Sequence, residues 1–96
     1  MLKHVVFLKF KEGITNAEIS DLEKGLSGLP SRIPEIKGYQ FGRDIVHSDR
    51  SYDFALVSDF DNVEALQSYQ VNPHHVPVVG MVRSISSSIL AVDFEY

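Results

Sequence analysis

The side chains best suited to chemistry in this 96-residue chain lie in one short stretch, residues 66–76. It holds a phenol, Tyr69, and two consecutive imidazoles, His74 and His75, on either side of Asn72-Pro73. A residue that precedes proline is driven out of the helical region, and proline is favoured at the first position of a new helix. The stretch is therefore predicted to be a corner where one helix ends and another turn begins.

His75 is the candidate general base or acid of this corner, because an imidazole titrates near neutral pH and can move protons. In the first turn after Asn72, unpaired backbone N–H groups disfavour the imidazolium and favour a neutral ring with a free lone pair. The alternative is a partly buried histidine whose nitrogens bond a carbonyl and Tyr69 and thereby fix the corner. His74 is predicted to face solvent.

Two more side chains are candidates for the same site. Tyr69 either hydrogen-bonds a substrate carbonyl, orients His75, or is a core residue whose hydroxyl reaches a partner. His4 shares the parity of the apolar residues in its strand, so it points into the same layer as a site residue or as a satisfied core histidine. His4, Tyr69 and His75 are therefore the candidate catalytic residues.

The sequence contains no motif typical of a thiol, metal or nucleotide site. The absence of cysteine excludes disulfides, thiolate catalysis and cysteine-ligated metals. Adjacent histidines are poorly spaced for a catalytic zinc site, which needs three convergent protein ligands. The glycines form no nucleotide-binding fingerprint. We predict neither a cofactor nor a metal site.

Composition and charge restrict the partners. Ninety-six residues form a single domain, spanning 1–96. A net charge of -4 argues against a nucleic-acid partner, since such proteins carry clustered Lys and Arg. The apolar run 5–8 is too short for a secretion signal, and no window reaches the length of a membrane span. We expect a soluble cytoplasmic protein without a membrane partner.

The elements that position the candidate residues follow from apolar periodicity and capping signals. Thr15 and Glu18 form a capping box before a helix that ends at Gly28, and Ser86 to Ser88 are predicted to be a connection. The order β-α-β-β-α-(α)-β predicts an α+β, ferredoxin-like antiparallel sheet with helices on one face. Strands are predicted at 3–10, 39–46, 54–60 and 89–96, and helices at 16–27, from 63 to about 71, and from 77.

The predicted sheet has apolar residues on both faces, as Val5 and Phe7 on one side of the first strand and Val6 and Leu8 on the other illustrate. A sheet with one face in water would alternate cleanly between apolar and polar residues. The helices of the chain cover one face, and no element remains for the other. A second copy that packs sheet against sheet would cover it, so we predict an obligate homodimer, a dimeric α/β barrel.

With these features the whole chain resembles the stress-responsive dimeric α/β-barrel family, called Dabb. The most specific motif is the tyrosine followed by Pro-x-His-Val at the corner. The residues that carry the resemblance are Lys3-His4 with Val5 to Lys11, Phe41-Gly42-Arg43-Asp44, Tyr69 with Asn72 to Val76, and Val92-Asp93-Phe94.

The resemblance implies a homodimer of ferredoxin-like units in a family that includes stress-induced plant proteins and a polyketide cyclase. In that cyclase, counterparts of His4, Tyr69 and His75 line a pocket between sheet and helices, and the last acts as general base of an aldol condensation. This sequence departs from the pattern at Asn72, where the family has histidine. It departs again at Leu26, where the cyclase has a tyrosine that helps shape its acyl pocket.

Three functions are compatible with this fold. The first is a stress-responsive homodimer that binds a small, largely apolar organic ligand between sheet and helices. The second is a cofactor-free cyclase, lyase or isomerase of a polyketide-like or β-keto substrate, with His75 as general base. The third is a structural, protective assembly. An open pocket between His4, Tyr69 and His75 would favour the first two, and a filled one the third.

Overall fold

The computed structural model describes all of residues 1–96 as one antiparallel sheet with three helices on a single face. The strand order is β2-β3-β1-β4, which confirms the ferredoxin-like α+β fold. None of the helices is both long and apolar enough to cross a membrane. The elements are β1 (Leu2–Phe10), α1 (Asn16–Ser27), β2 (Gly38–Arg43), β3 (Phe54–Phe60), α2 (Val63–Gln70), α3 (Val76–Ile85) and β4 (Ser86–Glu95).

Side-chain caps determine where the first two helices begin. The Thr15 hydroxyl accepts from the backbone N–H of Glu18 at 3.2 Å, and the Glu18 carboxylate accepts from the N–H of Thr15 at 3.3 Å. This reciprocal pair is the predicted capping box, and α1 has the predicted bounds. The Asn62 side chain caps α2 in the same way by accepting from Ala65 N–H at 2.9 Å.

The inner face of the sheet packs against the helices through residues of one parity. In β1 these are the even positions, and the register places Val6 between Leu56 of β3 and Ala91 of β4. The core between sheet and helices contains thirteen buried apolar residues: Leu2, Leu8, Leu22, Leu26, Leu29, Ile33, Phe54, Leu56, Phe60, Leu66, Tyr69, Val78 and Ile85.

Two strand boundaries differ from the prediction by more than one residue. The second strand was expected to reach Val46 but ends at Arg43, because the Asp44 carboxylate accepts from His47 N–H at 2.7 Å and closes a turn. His47 adopts a φ of 54° in that turn. The predicted connection 86–88 is also wrong: these residues begin β4, where they pair with the end of β1 across a register shift. Pairing with a neighbouring strand overrides the weak strand preference of serine.

The outer face of the sheet carries an apolar patch, defined by six residues in two cross-strand rows. Phe7 and Leu90, which form part of the first row, are 42% and 49% exposed. Lys3 and Asp59 form an ion pair of 3.3 Å that borders the patch. An apolar centre with a polar rim is the usual build of an interface. The rows are Ala55, Phe7 and Leu90, and Val57, Val5 and Val92.

Candidate functional site

The corner between α2 and α3 is built around Asn72, as the sequence predicts. The Asn72 side chain accepts from His74 N–H at 2.9 Å, and its carbonyl accepts from His75 N–H at 2.9 Å and Val76 N–H at 3.1 Å. The turn runs directly into α3, with Pro77 in the first helical turn. Backbone N–H groups there have no partner within the helix, so proline is tolerated. His74 is exposed, as predicted, and His75 is half-buried.

The ring of His75 is held by the end of α2. Its Nδ1 donates to the carbonyl of Gln70 at 3.3 Å, a group that is left unpaired because the helix ends there. A carbonyl only accepts, so Nδ1 carries the hydrogen and Nε2 of the neutral ring carries the lone pair. The ring also stacks on Tyr69, with centroids 4.0 Å apart and planes 29° apart. His75 thus has one anchored and one free nitrogen.

The surroundings favour the neutral form of this imidazole. Burial lowers the pKa of His75 below its ordinary value of 6.5. Hydrogen bonds to the backbone at Gln70 and Tyr69 oppose this effect, and the neighbouring charge of His4 adds to it. Near neutral pH the ring is therefore uncharged and able to accept a proton at Nε2.

Tyr69 contacts His75 through its ring, while its hydroxyl bonds another tyrosine. It is 1% exposed, and the ring lies between His75 and Phe60, whose centroid is 4.9 Å away. The hydroxyl shares a hydrogen bond of 2.8 Å with that of Tyr39 on β2. Burial raises the pKa of both phenols, so each remains protonated. This packing matches the alternative in which Tyr69 is a core residue whose hydroxyl reaches a partner, and its ring is a buried platform for the imidazole of His75.

The hydrogen bond between the two tyrosine hydroxyls should contribute to the stability of the fold. Tyr39→Phe and Tyr69→Phe should each destabilise the fold by about 1 kcal/mol, because each leaves one buried hydroxyl without its partner. The double variant should lose little more than either single one, since no orphaned hydroxyl remains. Urea unfolding of the four proteins should thus give a coupling energy of about 1 kcal/mol. Additive effects of the two substitutions would mean that the hydroxyls do not stabilise the fold as a pair.

His4 is held by the sheet, whereas His75 is held by a helix. It lies on the inner face of β1, directly across from Asp93 of β4, and its Nδ1 donates to the Asp93 carboxylate. Its ring meets that of Tyr69 edge to face, with centroids 6.4 Å apart. The His4 side chain is buried, whereas that of Asp93 is 40% exposed. A carboxylate that fixes the orientation and tautomer of an imidazole is a common support for proton transfer.

The three predicted residues line one cavity. It has a volume of about 360 Å³, at the lower end of the range for small-molecule sites. Leu26 forms part of the wall, as do Ile89 and Ala91 of β4, which remain exposed because the helices do not cover that strand. Eleven of the fifteen lining residues are apolar, and the other four are His4, Gln70, His75 and Arg83.

Two supporting residues, Tyr39 and Asp93, were not predicted as site residues, although Asp93 belongs to the Val92-Asp93-Phe94 motif that carries the resemblance. Tyr39 shares the inward parity of Phe41, and Asp93 that of Ile89 and Ala91. A polar residue in an inward-facing series is the signal that was available for each. Their significance becomes clear only from the strand register, which brings Asp93 opposite His4. No three His, Asp or Glu side chains converge in an arrangement that would hold a metal ion.

Comparison with known proteins finds a matching family and relatives of similar sequence and fold. The family described as "Stress responsive A/B Barrel Domain" matches residues 2–96. Olivetolic acid cyclase from Cannabis sativa is 30% identical, over 97% of this chain and 94% of the cyclase. Stress-response A/B barrel domain-containing protein HS1 from Arabidopsis thaliana is 28% identical, over 98% and 88% of the two chains. A dimeric ferredoxin-like protein of unknown function from Thermobifida fusca has a TM-score of 0.91 at 29% identity, covering 99% of this chain and 90% of its own.

Proposed function

The chain belongs to the stress-responsive A/B barrel domain family, and from this premise we propose that it binds a small, largely apolar organic molecule in its central cavity. One observation carries the proposal: an apolar cavity of about 360 Å³ has two imidazoles, from His4 and His75, in its wall. Such a site would hold an apolar body and hydrogen-bond a polar group. Stress response is the physiological role that we attach to this binding.

The open cavity favours binding over a purely structural role. A protein selected only for assembly would gain stability from a filled core, because voids forfeit packing contacts. Here the space lies beside the two histidines, and each ring is oriented through its Nδ1, by Asp93 and by Gln70. Such support of polar side chains around an empty volume is typical of ligand sites.

A binding measurement tests the proposal. Octanamide, a neutral molecule with a short alkyl chain, should bind the protein and shift the NMR signals of the lining residues Val78 and Val79. Ala91→Phe adds a ring at the cavity wall and should weaken binding by at least about tenfold, because the added ring competes for the same space. Ala17→Phe, the same change on the exposed side of α1, should leave it unaltered. Equal binding by both variants would place the ligand elsewhere.

We also propose that the folded protein is a homodimer joined through the outer apolar patch. Support comes from the exposed rows of apolar side chains and from the similarity to a dimeric protein of the same fold. Only 16 of 96 residues are buried in the single chain, which is little for a stable core. A two-fold interface would place each patch against its own copy.

A second candidate function is catalysis by proton abstraction, favoured by the anchoring of His75. With Nδ1 bonded to Gln70, the lone pair of Nε2 would accept a proton from an acidic carbon beside a carbonyl. The electron pair of that C–H bond would pass into an enolate, whose oxygen His4 would stabilise. A relative that is named as a cyclase makes a β-keto or polyketide-like substrate the natural class to test.

A further inference from the structure

Arg83 differs from the other polar residues of the cavity wall. It is the only one of the fifteen lining residues that carries a fixed charge, because an arginine side chain remains protonated in proteins. It lies in the last turn of α3 and is exposed. A wall in which Arg83 is the only residue with a fixed charge would discriminate among ligands by their charge.

The guanidinium of Arg83 has no partner within the chain. The five ion pairs of the structure involve Lys3, His4, Lys37, Arg43 and His47, and none includes Arg83. Arg43, by contrast, binds the Glu23 carboxylate at 2.9 Å and two further side chains. Arg83, a lining residue of the cavity, therefore retains all five of its N–H donors.

Arg83 and His75 lie at opposite ends of the part of α3 that lines the cavity, so the two ends differ in charge. His75 precedes α3 and Arg83 lies eight residues further on, which is about 12 Å at the rise of a helix. The apolar residues Val78, Val79 and Val82 lie between them and line the same space. A ligand that spans the cavity would thus meet an imidazole at one end and a cation at the other.

We propose that the ligand is an amphipathic carboxylate, with its acid group on Arg83 and the rest of the molecule extending towards His4 and His75. This inference rests on the binding proposed above and narrows the ligand class. The planar fork of a guanidinium matches a carboxylate in two parallel hydrogen bonds. A single cation neutralises one negative charge, so a monoanion suits the site better than a phosphate dianion in a protein whose net charge is already -4.

The test compares octanoate with octanamide, which share their alkyl chain and differ in charge. The wild-type protein should bind octanoate about tenfold more tightly at low salt, a modest preference because Arg83 is solvent-exposed. High salt should reduce the preference. Arg83→Gln should abolish it while octanamide binding persists, and Arg83→Lys should retain part of it. Arg32→Gln, which removes an exposed cation outside the cavity wall, should keep it in full.

The binding data distinguish the proposed carboxylate class from the proposed binding of a small apolar molecule. Equal binding of octanoate and octanamide by the wild-type protein overturns the carboxylate class and leaves the binding proposal standing. Tighter binding of octyl phosphate than of octanoate overturns it in favour of a phosphate ligand. If Arg83→Gln still prefers octanoate to octanamide, Arg83 does not bind the carboxylate. Its role would then be limited to stabilising the C-terminal end of α3, whether or not the melting temperature changes. Failure of both probes to bind overturns the proposed function itself.

Discussion

His75→Ala is expected to lower catalysed proton exchange by about 100-fold or more, the size of effect typical of a lost general base. The reporter is 3-oxooctanamide, whose methylene between two carbonyls carries acidic protons. In deuterium oxide, abstraction of one of these protons by Nε2, followed by return of a deuteron to the same carbon, appears as loss of the methylene NMR signal. Binding of octanamide should change by less than about threefold, because apolar contacts supply most of that affinity.

Two further proteins control this experiment. His74→Ala removes the exposed neighbouring imidazole and should leave exchange unchanged. His75→Gln preserves much of the volume of the ring without its basicity and should be as inactive as His75→Ala. Exchange that persists in both His75 variants would remove His75 as the base. A wild-type protein that does not accelerate exchange above buffer would rule out this catalysis and leave binding alone.

The same reaction should depend on pH in a defined direction. His75 abstracts a proton only as the neutral ring, so exchange should fall as the pH drops through the pKa of His75. Burial lowers that pKa below 6.5, so activity should persist to a lower pH than an exposed histidine would allow. The profile is measured after subtraction of the buffer-catalysed rate. A midpoint well above 6.5 would contradict the proposed environment of the ring.

Phe7→Asp should abolish the folded dimer. Phe7 lies at the centre of a row in the outer apolar patch, and a two-fold interface would bury the new carboxylate twice. Burying an unpaired charge costs several kcal/mol, and the two-fold axis applies this cost twice to the same interface. We expect sedimentation to show a dimer for the wild-type protein, and insoluble or unfolded chain for the variant.

Val71→Asp is the matched control, because Val71 is 75% exposed on the helical side of the molecule, away from the patch. It should sediment as the wild-type protein does. If Phe7→Asp instead gives a soluble, fully folded single chain, the outer face does not require a cover, and the dimer must be sought elsewhere. A dimer that withstands the substitution would likewise exclude this face as the contact.

The sequence predicted those parts of the fold that depend on neighbours along the chain. The bounds of α1 follow from the capping box at Thr15 and the stop at Gly28, both local signals. The end of β2 could not be found in this way, since Ile45 and Val46 have strong strand propensities. It depends on a turn closed by the Asp44 carboxylate. The extra residues of β4 depend on pairing with β1, which is remote in sequence.

In the candidate site, too, the residues found from the sequence are those that local signals indicate. His4, Tyr69 and His75 could be identified because residue type, strand parity and helix spacing all direct them inward. Whether a cavity opens between them depends on how closely α3 approaches the sheet, which no local pattern encodes. Asp93 is opposite His4 only by virtue of a register between the first and last strands. A supporting residue in a site thus escapes prediction when its partner lies far along the chain.

The position of the cavity opening determines how a ligand would exchange. Ile89 and Ala91 are exposed lining residues on β4, an edge strand of the sheet, so the cavity reaches the surface along that edge. We expect a ligand to enter along this edge without a conformational step that would slow its association. Ligands of different affinity would differ in residence time rather than in the rate at which they arrive.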